Sequence, residues 1–591
     1  MKKYIILIII FILTCKTFYI KPTEYKTNDI NEGIQYLENW ILHLMKQYKV
    51  VGLSLIVVDN KNILWQLQAG YQDKEKQIPV SEHTNFQIGS IAKVINTIAI
   101  LKLVQEKKLQ LDDPIHKYTE DLPIDYDYKN PITIRQLLIH HSGIPSDLMK
   151  YLWQDKYIEL SEITKEIKQI YLSFKPDEIF SYSNLAVTLS GRIIEIITKQ
   201  PYSLYINQLL KELEMNHTYT NLYQVTQLSK GYNIGLFGNK ELNEPPIVMI
   251  PAGGFYSNAM DLAKFMQMIL NYGYINNKQF LQKEFIEEMF RIQNKNILLD
   301  DEFKIGLPFF LNDLGFGKLK QANHGGDTIA YHSMMILLPE LPLGIIVMTN
   351  TTTGSQITSK IALETISFFA KYKYNIIKSN QFDIPVNHAI YDAKQIFGHY
   401  NTSSGMIKIH YNDNEKLFCQ YLNYSCEFIL DNHLYRFRIK IFNFIPVEIF
   451  GETKFIFKKI NQKTILYAVN GSTTIPFGSK IDESLSLNQN PEYFNSKEIW
   501  EKRIGEYLYI NNTEKEPFFY IKKLTISKKD NFFLIQIYYN QSSYPIIYYA
   551  IPYKKDILKI PGYGRQLGDI IKFYKDTIYY SGFYLKKSDF N

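Results

Sequence analysis

The segment Ser90-Ile91-Ala92-Lys93 places a hydroxyl and an amine one helical turn apart. A serine alcohol is a weak nucleophile, so a nearby amine that accepts its proton gives this spacing a chemical reason. Apolar residues follow at nearly helical period from Ile91 to Val104, which predicts a helix that begins at Ser90 and packs inward. The segment therefore indicates a covalent catalyst.

A helix N-terminus also favours developing negative charge, because its free N–H groups and dipole point toward the nucleophile. The spacing alone is weak evidence, since an S-x-x-K pattern recurs by chance in a chain of this length. The alternative interpretation makes Ser90 only a helix N-cap and Lys93 a solvated residue of the first turn.

Two further polar segments stand at the ends of predicted elements. Tyr182-Ser183-Asn184 opens an apolar helix that continues to Ile197. His324-Gly325-Gly326-Asp327 precedes an apolar, strand-like stretch at 334–348, which Pro339 and Pro342 break into a hairpin. Three such segments favour one shared site, although His324 has an alternative interpretation as a structural histidine near a strand.

Together these segments resemble the serine β-lactamase and penicillin-recognising hydrolase family, in the class C-like branch with DD-peptidases, esterases and D-aminopeptidases. The related set S-x-x-K, S-D-N and K-T-G stands here as Ser90–Lys93, Tyr182–Asn184 and His324–Gly326, and Tyr-x-Asn is the class C-like form. Segments 133–145 and 251–265 also look like family sequences. The resemblance spans residues 30–375.

The resemblance implies that Ser90 is the nucleophile and that Lys93 and Tyr182 transfer protons. Asn184 would hold the lysine and the substrate amide, and the backbone N–H groups of Ser90 and Asp327 would form the oxyanion hole. A free tyrosine titrates near pH ~10. Tyr182 can therefore act as a base only if cations such as Lys93 favour its phenolate.

His324 departs from the antibiotic-degrading members of the family, which usually carry a lysine that attracts a substrate carboxylate. A histidine offers a weaker and switchable positive charge. With Gly325 and Gly326 completing the substrate-binding segment, this difference favours the esterases and D-aminopeptidases over efficient β-lactam hydrolysis.

We therefore expect an exported serine hydrolase that forms an acyl-enzyme on Ser90. Its partner would be a small ester or a short peptide, including one with D-residues, and it would need no metal or organic cofactor. Twelve histidines without a C-x-x-C or H-E-x-x-H spacing give no support to zinc chemistry. Two alternatives are a penicillin-binding DD-carboxypeptidase or β-lactamase, and a non-catalytic envelope-binding protein on a hydrolase scaffold.

The 591 residues are too many for one core. We predict an α/β serine β-lactamase-like domain at 30–375, with an antiparallel sheet flanked by helices and an all-helical region. A linker at 376–394 leads to mostly-β, lipocalin-like barrels at 395–490 and 498–588. Hydrophobic residues make up 46% of the chain, which excludes a wholly disordered protein, and the interspersed net charge of +7 gives no support to nucleic-acid binding.

The C-terminal prediction depends on a repeated pattern in a region rich in tyrosine. Gly398-His399-Tyr400 precedes strand-like residues 406–411 and a turn at 412–414, and Gly505-Glu506-Tyr507 precedes strand-like residues 521–526 and a turn at 529–531. This pattern suggests a duplicated β-unit. With Gly562-Tyr563-Gly564-Arg565, it resembles the lipocalin-like barrels behind some family hydrolases, including D-aminopeptidases.

The first 22 residues have the pattern of an export signal. Lys2 and Lys3 precede an apolar run at 4–13, which is short for a bilayer span of about 20 residues. Cleavage and secretion is one outcome. A second is lipidation of Cys15, because residues 12–15 resemble a relaxed bacterial lipobox. A third is a signal that stays uncleaved. All three place the protein in the periplasm or cell envelope, and the second and third anchor it to the membrane.

Two further cysteines, Cys419 and Cys426, stand seven residues apart. A tight turn at 422–423 would bring the two thiols face to face across a hairpin, where an exported location permits a disulfide. The alternative is a pair of buried thiols in two strands.

Overall fold

The structure is a computed structural model that describes residues 21–588 except 25, 28, 236–237, 384–385, 412–416, 422–423, 432, 442–444, 449, 452 and 511–516. Cys15 and most of the predicted signal segment lie outside the described residues, as do the turns predicted at 412–414 and 422–423. Among the helices described, none is long and apolar enough to cross a bilayer.

The N-terminal region alternates helices and strands. Its helices are α1 (Ile30–Gln47), α2 (Ala92–Gln105), α3 (Ile134–Leu138), α4 (Leu160–Lys165), α5 (Asn184–Thr198), α6 (Tyr202–Glu212), α7 (Ile250–Gly253), α8 (Ala259–Leu270), α9 (Lys283–Met289) and α10 (Thr358–Tyr374). Its strands are β1 (Gly52–Asp59), β2 (Ile63–Asp73), β3 (Ile78–Pro79), β4 (Phe86–Gln87), β5 (Gly231–Gly235), β6 (Gly238–Leu242), β7 (Tyr256–Ser257), β8 (Tyr274–Ile275), β9 (Lys278–Gln279), β10 (Ala322–Asp327), β11 (His332–Leu338) and β12 (Leu343–Thr349).

A six-stranded antiparallel sheet in the order β10-β11-β12-β1-β2-β3 forms the framework of this region. Side chains alternate along each strand, so they point to both faces of the sheet. A separate hydrophobic core covers each face. Leu55 and Val57 of β1 pack into one core with α1 and α10, whereas Ile56 and Val58 pack into the other with α8 and the helical region. The predicted hairpin joins β11 to β12. The predicted fold class is confirmed.

The C-terminal region contains two barrels of antiparallel strands. The first comprises β13 (Gly398–Thr402), β14 (Gly405–Tyr411), β15 (Leu417–Tyr421), β16 (Tyr424–Asp431), β17 (Leu434–Ile441), β18 (Ile445–Glu448), β19 (Lys454–Ile460), β20 (Lys463–Asn470) and β21 (Thr473–Lys480). The second comprises β22 (Gly505–Tyr509), β23 (Ile521–Lys529), β24 (Phe532–Tyr539), β25 (Ile546–Lys554), β26 (Ile557–Lys559), β27 (Ile570–Tyr574), β28 (Thr577–Tyr580) and β29 (Phe583–Lys587).

Each barrel closes into a ring of eight strands. In the first, pairing of β13 with β21 and of β16 with β17 completes the ring, and β18 adds to the outside of β17. In the second, β29 pairs with β22. Strands that follow one another in the chain lie side by side, which is the up-and-down arrangement of lipocalin-like barrels. Helices α11 (Pro491–Asn495) and α12 (Lys497–Lys502) connect the two rings.

Cys419 of β15 and Cys426 of β16 are directly opposite each other and form a disulfide. Both residues are fully buried in the core of the first barrel, beside Tyr400 and Phe457. The bond therefore crosslinks two neighbouring strands from inside the ring.

Candidate active site

The three polar segments meet in one cleft where the edge of the sheet adjoins the helical region. The cleft has a volume of about 410 Å³. Its lining includes the sequence-predicted residues Ser90, Tyr182, Asn184, His324, Gly325 and Asp327, together with Arg565 of the second barrel.

Ser90 lies in a 3-10 turn, Gly89–Ile91, directly before α2. Gly89 has a φ of 52°, and a Cβ at this position would lie 2.8 Å from the backbone nitrogen of Asp327. A Cβ on Gly326 would overlap the carbonyl oxygen of Ile88. The two glycines thus permit the turn to approach β10, which brings the backbone nitrogen of Asp327 beside Ser90.

Lys93 lies in the first turn of α2 and is fully buried. Its Nζ is 3.0 Å from Ser90 Oγ, 2.7 Å from Asn184 Oδ1 and 2.6 Å from the carbonyl oxygen of Ala252. A neutral amine has two N–H bonds and one lone pair. The two carbonyl oxygens can accept both N–H bonds, which leaves the lone pair for the serine hydroxyl.

Burial lowers the pKa of Lys93 well below its usual value, because the charged form loses its hydration. The positive charge of Arg565 lowers this pKa further, and the carboxylate of Asp147 raises it. The lowered pKa favours the neutral amine, the state in which it can accept a proton.

Tyr182 precedes α5, whose N-cap is Ser183. Its side chain interacts with that of Ser90, and its ring centroid lies 4.8 Å from Lys93 Nζ. Burial raises the pKa of Tyr182 above its usual value, against smaller lowering effects of the Ser90 hydrogen bond and the Arg565 charge. The phenolate that a tyrosine base would require is thus disfavoured, and the phenol keeps its proton.

Asn184 is the first residue of α5 and holds the lysine through its side-chain carbonyl. Its amide nitrogen donates to Asp147 Oδ1 at 2.6 Å. The expected contact of this side chain with the substrate amide therefore competes with an internal hydrogen bond. Asp147 is itself a residue that the sequence analysis missed.

His324 belongs to β10 and is 1% exposed. Its Nδ1 lies 2.7 Å from the carbonyl oxygen of Gly325, which fixes the proton on that nitrogen. Nε2 is buried without a hydrogen-bond partner among the described residues. Burial lowers the pKa of His324 to about 3, and Lys93 lowers it as well. The expectation that His324 offers a switchable positive charge is therefore wrong, because the buried imidazole stays neutral at pH 7.

Gly325, Gly326 and Asp327 complete β10 and pair with β11. The side chain of Asp327 is exposed and lies 2.6 Å from Nδ1 of His332. The backbone of this segment, rather than the Asp327 carboxylate, faces the serine turn.

Arg565 reaches the cleft from the loop between β26 and β27 of the second barrel. Its guanidinium lies 3.0 Å from Asp147 Oδ2, and its Cζ is 5.2 Å from the ring centroid of Tyr182. In the sequence, segment 562–565 indicates only a barrel. A charged residue between glycines in a loop was the one signal that could have marked it as functional.

The segment 251–265, which resembles the family sequence, begins in the single helical turn α7. The carbonyl oxygen of Ala252 in this turn accepts a hydrogen bond from Lys93. Among the described residues, no group of His, Cys, Asp or Glu side chains has an arrangement that could hold a metal ion.

The family profile for beta-lactamases matches residues 37–363. The chain belongs to the beta-lactamase family. Its fold and family are those of a serine hydrolase related to the penicillin-binding proteins.

Similar proteins agree with this assignment. The chain is 30% identical over 331 residues to Protein flp of Staphylococcus aureus (strain N315), a match that covers 54% of this chain and 64% of that protein. The octameric penicillin-binding protein homologue from Pyrococcus abyssi is 22% identical, with a TM-score of 0.52 over 76% of this chain and 100% of its own. EstCE1, a hydrolase with promiscuous acyltransferase activity, is 16% identical, with a TM-score of 0.50 over 57% of this chain and 98% of its own. At these identities the two structures support the fold alone.

Proposed function

We propose that this protein is a serine hydrolase that forms an acyl-enzyme on Ser90 and releases it with water. Its substrates would be small esters or short peptides, including those with D-residues. The main support is the position of Lys93, whose Nζ lies 3.0 Å from Ser90 Oγ while carbonyl oxygens take its other two contacts.

Acylation begins with transfer of the Ser90 proton to the neutral amine of Lys93. The serine oxygen attacks the substrate carbonyl carbon, and the carbonyl oxygen becomes an oxyanion. The backbone N–H groups of Ser90 and Asp327 would donate to this oxyanion. Loss of one such donor typically costs about 3 kcal/mol in the reaction barrier.

Collapse of the tetrahedral intermediate breaks the bond to the leaving group. The Tyr182 hydroxyl, which interacts with Ser90, gives its proton to the leaving atom and regains one from the Lys93 ammonium. The raised pKa of Tyr182 suits an acid that stays protonated until the leaving atom needs a proton.

Deacylation repeats these steps with water in place of the serine. Lys93 takes a proton from the water, the resulting hydroxide attacks the acyl carbon, and Ser90 Oγ leaves as a hydroxyl after protonation through Tyr182. The cycle returns every group to its starting state and consumes only water.

Export completes the proposal, with Cys15 as a site of lipid attachment that tethers the protein to the membrane. Mass spectrometry of the N-terminus of the native protein tests this part. A lipid-modified Cys15 is expected, and an unmodified chain that starts beyond Cys15 would contradict the tether but agree with secretion.

Covalent labelling tests the catalytic proposal. The wild-type protein, the Ser90→Ala variant and the surface control Ser542→Ala are each incubated with a fluorophosphonate probe and with a labelled penicillin. Fluorophosphonate labelling of the wild type and the control, but not of Ser90→Ala, supports the proposal. Labelling by neither probe would favour a binding protein, and labelling by penicillin alone would favour a carboxypeptidase.

A further inference from the structure

We propose that a cavity between the N-terminal region and the two barrels binds a phosphate ester through Lys459, Thr464 and Lys480 of the first barrel. The cavity has a volume of about 1470 Å³, which exceeds the roughly 300–1,000 Å³ of most small-molecule sites. Its lining shares no described residue with that of the Ser90 cleft. This site is therefore independent of the proposed hydrolysis.

The three side chains form a row across neighbouring strands at one end of the first barrel. Lys459, near the end of β19, is directly opposite Thr464, near the start of β20. On the other side of β20, Ser479 is opposite Ile465, so Lys480, which ends β21, is level with Thr464. Residues that lie level on neighbouring strands point to the same face of a sheet. The two lysines therefore flank the threonine, and all three residues line the cavity.

None of these side chains has a carboxylate partner among the described residues. Within the same part of the chain, Lys459 Nζ and Thr464 Oγ1 have no hydrogen-bond partner, and Lys480 Nζ has only the carbonyl oxygen of Gln395, at 3.4 Å. Burial lowers the pKa of Lys480, and the charge of Lys459 lowers it further, against a raising effect of Glu483. Burying an ammonium group without a counter-ion costs free energy. An anion between the two lysines reduces this cost.

The lining also contains carboxylates, but each of them already accepts a hydrogen bond. Glu178 accepts one from Lys463, and Glu483 lies 2.9 Å from Nδ1 of His399. Backbone N–H groups donate to the other three, which are Asp125, Asp127 and Asp482. The row of lysines has no such partners, so it favours an anion as the ligand.

The geometry of the row favours phosphate over carboxylate. Two strand spacings, about 10 Å, separate β19 from β21, and two lysine side chains can converge over this distance from either side of Thr464. A phosphate has oxygens in several directions, so two ammonium groups and a hydroxyl can each donate to a different one. A planar carboxylate is matched best by the parallel N–H groups of an arginine. No arginine is among the described residues that line this cavity.

The opposite wall accommodates the rest of an ester. Tyr553 of the second barrel is 42% exposed, and Lys559 Nζ lies 5.1 Å from the centroid of its ring. The rings of Phe174 and Tyr563 are stacked with their centroids 5.3 Å apart, and all four residues line the cavity. Aromatic side chains offer large apolar surfaces. A ring or chain attached to the phosphate therefore gains contacts that inorganic phosphate lacks.

Isothermal titration calorimetry of the wild-type protein tests the class of ligand with three probes. These are phenyl phosphate, phenylmalonate, which carries two carboxylates beside the same ring, and inorganic phosphate. We expect phenyl phosphate to bind about 10-fold or more tightly than either of the others. Absence of phenyl phosphate binding would overturn the proposal. Equal binding of phenylmalonate would contradict the preference for phosphate, and equal binding of inorganic phosphate would contradict the preference for an ester.

Variants of the row test the location of the site. The double variant Lys459→Gln, Lys480→Gln should bind phenyl phosphate at least about 10-fold more weakly than wild type. Its matched control, Lys522→Gln with Lys586→Gln, removes the same charge at exposed positions and should bind as wild type. Thr464→Val keeps both charges and should bind about 3-fold more weakly, which tests the row even if the double variant does not fold. Unchanged affinity in the folded variants of the row would overturn the assignment.

Discussion

The guanidinium of Arg565 lies 3.0 Å from the carboxylate of Asp147, although 418 residues separate them in the chain. Asp147 also accepts a hydrogen bond from Asn184, whose carbonyl oxygen accepts one from Lys93. A chain of contacts thus connects the second barrel to the proposed catalytic amine. Its charges act on the protonation of Lys93, which makes the pH dependence of activity a direct test.

The Asp147→Asn variant should lower the pKa of Lys93. The Asp147 carboxylate raises the pKa of Lys93 and the Arg565 charge lowers it. Without the carboxylate, the raising effect is lost and the lowering effect of Arg565 is no longer opposed. We expect the acidic limb of the kcat/KM profile to move down by about one pH unit. An unchanged limb, or one at higher pH, would contradict a role of Lys93 as the base.

Replacement of Lys93 by methionine should nearly abolish activity while the fold is retained. Methionine fills a similar volume but cannot accept the Ser90 proton, and loss of a general base typically costs about 10²- to 10⁴-fold in rate. Ester turnover and the rate of fluorophosphonate labelling measure this loss. The Lys108→Met variant, a change at an exposed ion pair with Glu106, should behave as wild type.

His324 should remain neutral over the physiological range, because its pKa is lowered to about 3 by burial. Nitrogen-15 NMR should show the proton on Nδ1 at every pH from about 5 to 8. His324→Gln should leave the position of both limbs of the pH profile unchanged. A titration of His324 within this range would show that the imidazole is hydrated and would contradict its burial.

Asp569→Asn should stabilise the protein at neutral and alkaline pH. Burial raises the pKa of Asp569 to about 8, with a further rise caused by Asp147, against lowering by the Ser173 hydrogen bond and Lys559. The folded state therefore binds a proton that the unfolded state releases above about pH 4. Stability from this group is present at low pH and is lost as the pH rises toward 8.

Thermal unfolding of the Asp569→Asn variant measures this effect. We expect a melting temperature at pH 8 about 3 °C or more above wild type, and little difference near pH 4. The asparagine can still accept the Ser173 hydrogen bond, so the comparison isolates the charge. A variant that is less stable at pH 8 than wild type would contradict the raised pKa.

Replacing Cys419 and Cys426 together by alanine should destabilise the first barrel. The bond closes a short loop between adjacent strands, and the chain-entropy estimate for such a loop is about 2 kcal/mol. Guanidinium unfolding followed by limited proteolysis of the first barrel measures the loss. Because neither cysteine lines the cleft, the rate of Ser90 labelling at 25 °C should be unchanged.

Local chemistry made the position of the proposed catalytic residues predictable. The spacing of Ser90 and Lys93 needs only one helical turn, and Tyr182 and Asn184 flank a serine N-cap. Alternation in the tyrosine-rich segments similarly indicated the barrels. Periodicity of this kind is a property of neighbouring residues, so the sequence carries it directly.

Protonation states and the contribution of the second barrel were not predictable in the same way. The pKa values of Tyr182 and His324 depend on burial by other segments of the chain. The ring of Phe310, for example, has its centroid 6.5 Å from that of Tyr182, although 128 positions separate the two residues. Arg565 and Asp147 meet only after the barrel docks. No spacing rule connects residues that are brought together by domain packing.

The position of Arg565 in the chain sets an order for assembly. The serine, the lysine and the tyrosine all belong to the region that is synthesised first, whereas the arginine follows one complete β-barrel and the first five strands of the second. During folding, the hydrolytic centre therefore has its nucleophile before it has its full set of charges. The second barrel must therefore fold and dock before the cleft contains all of its charged groups.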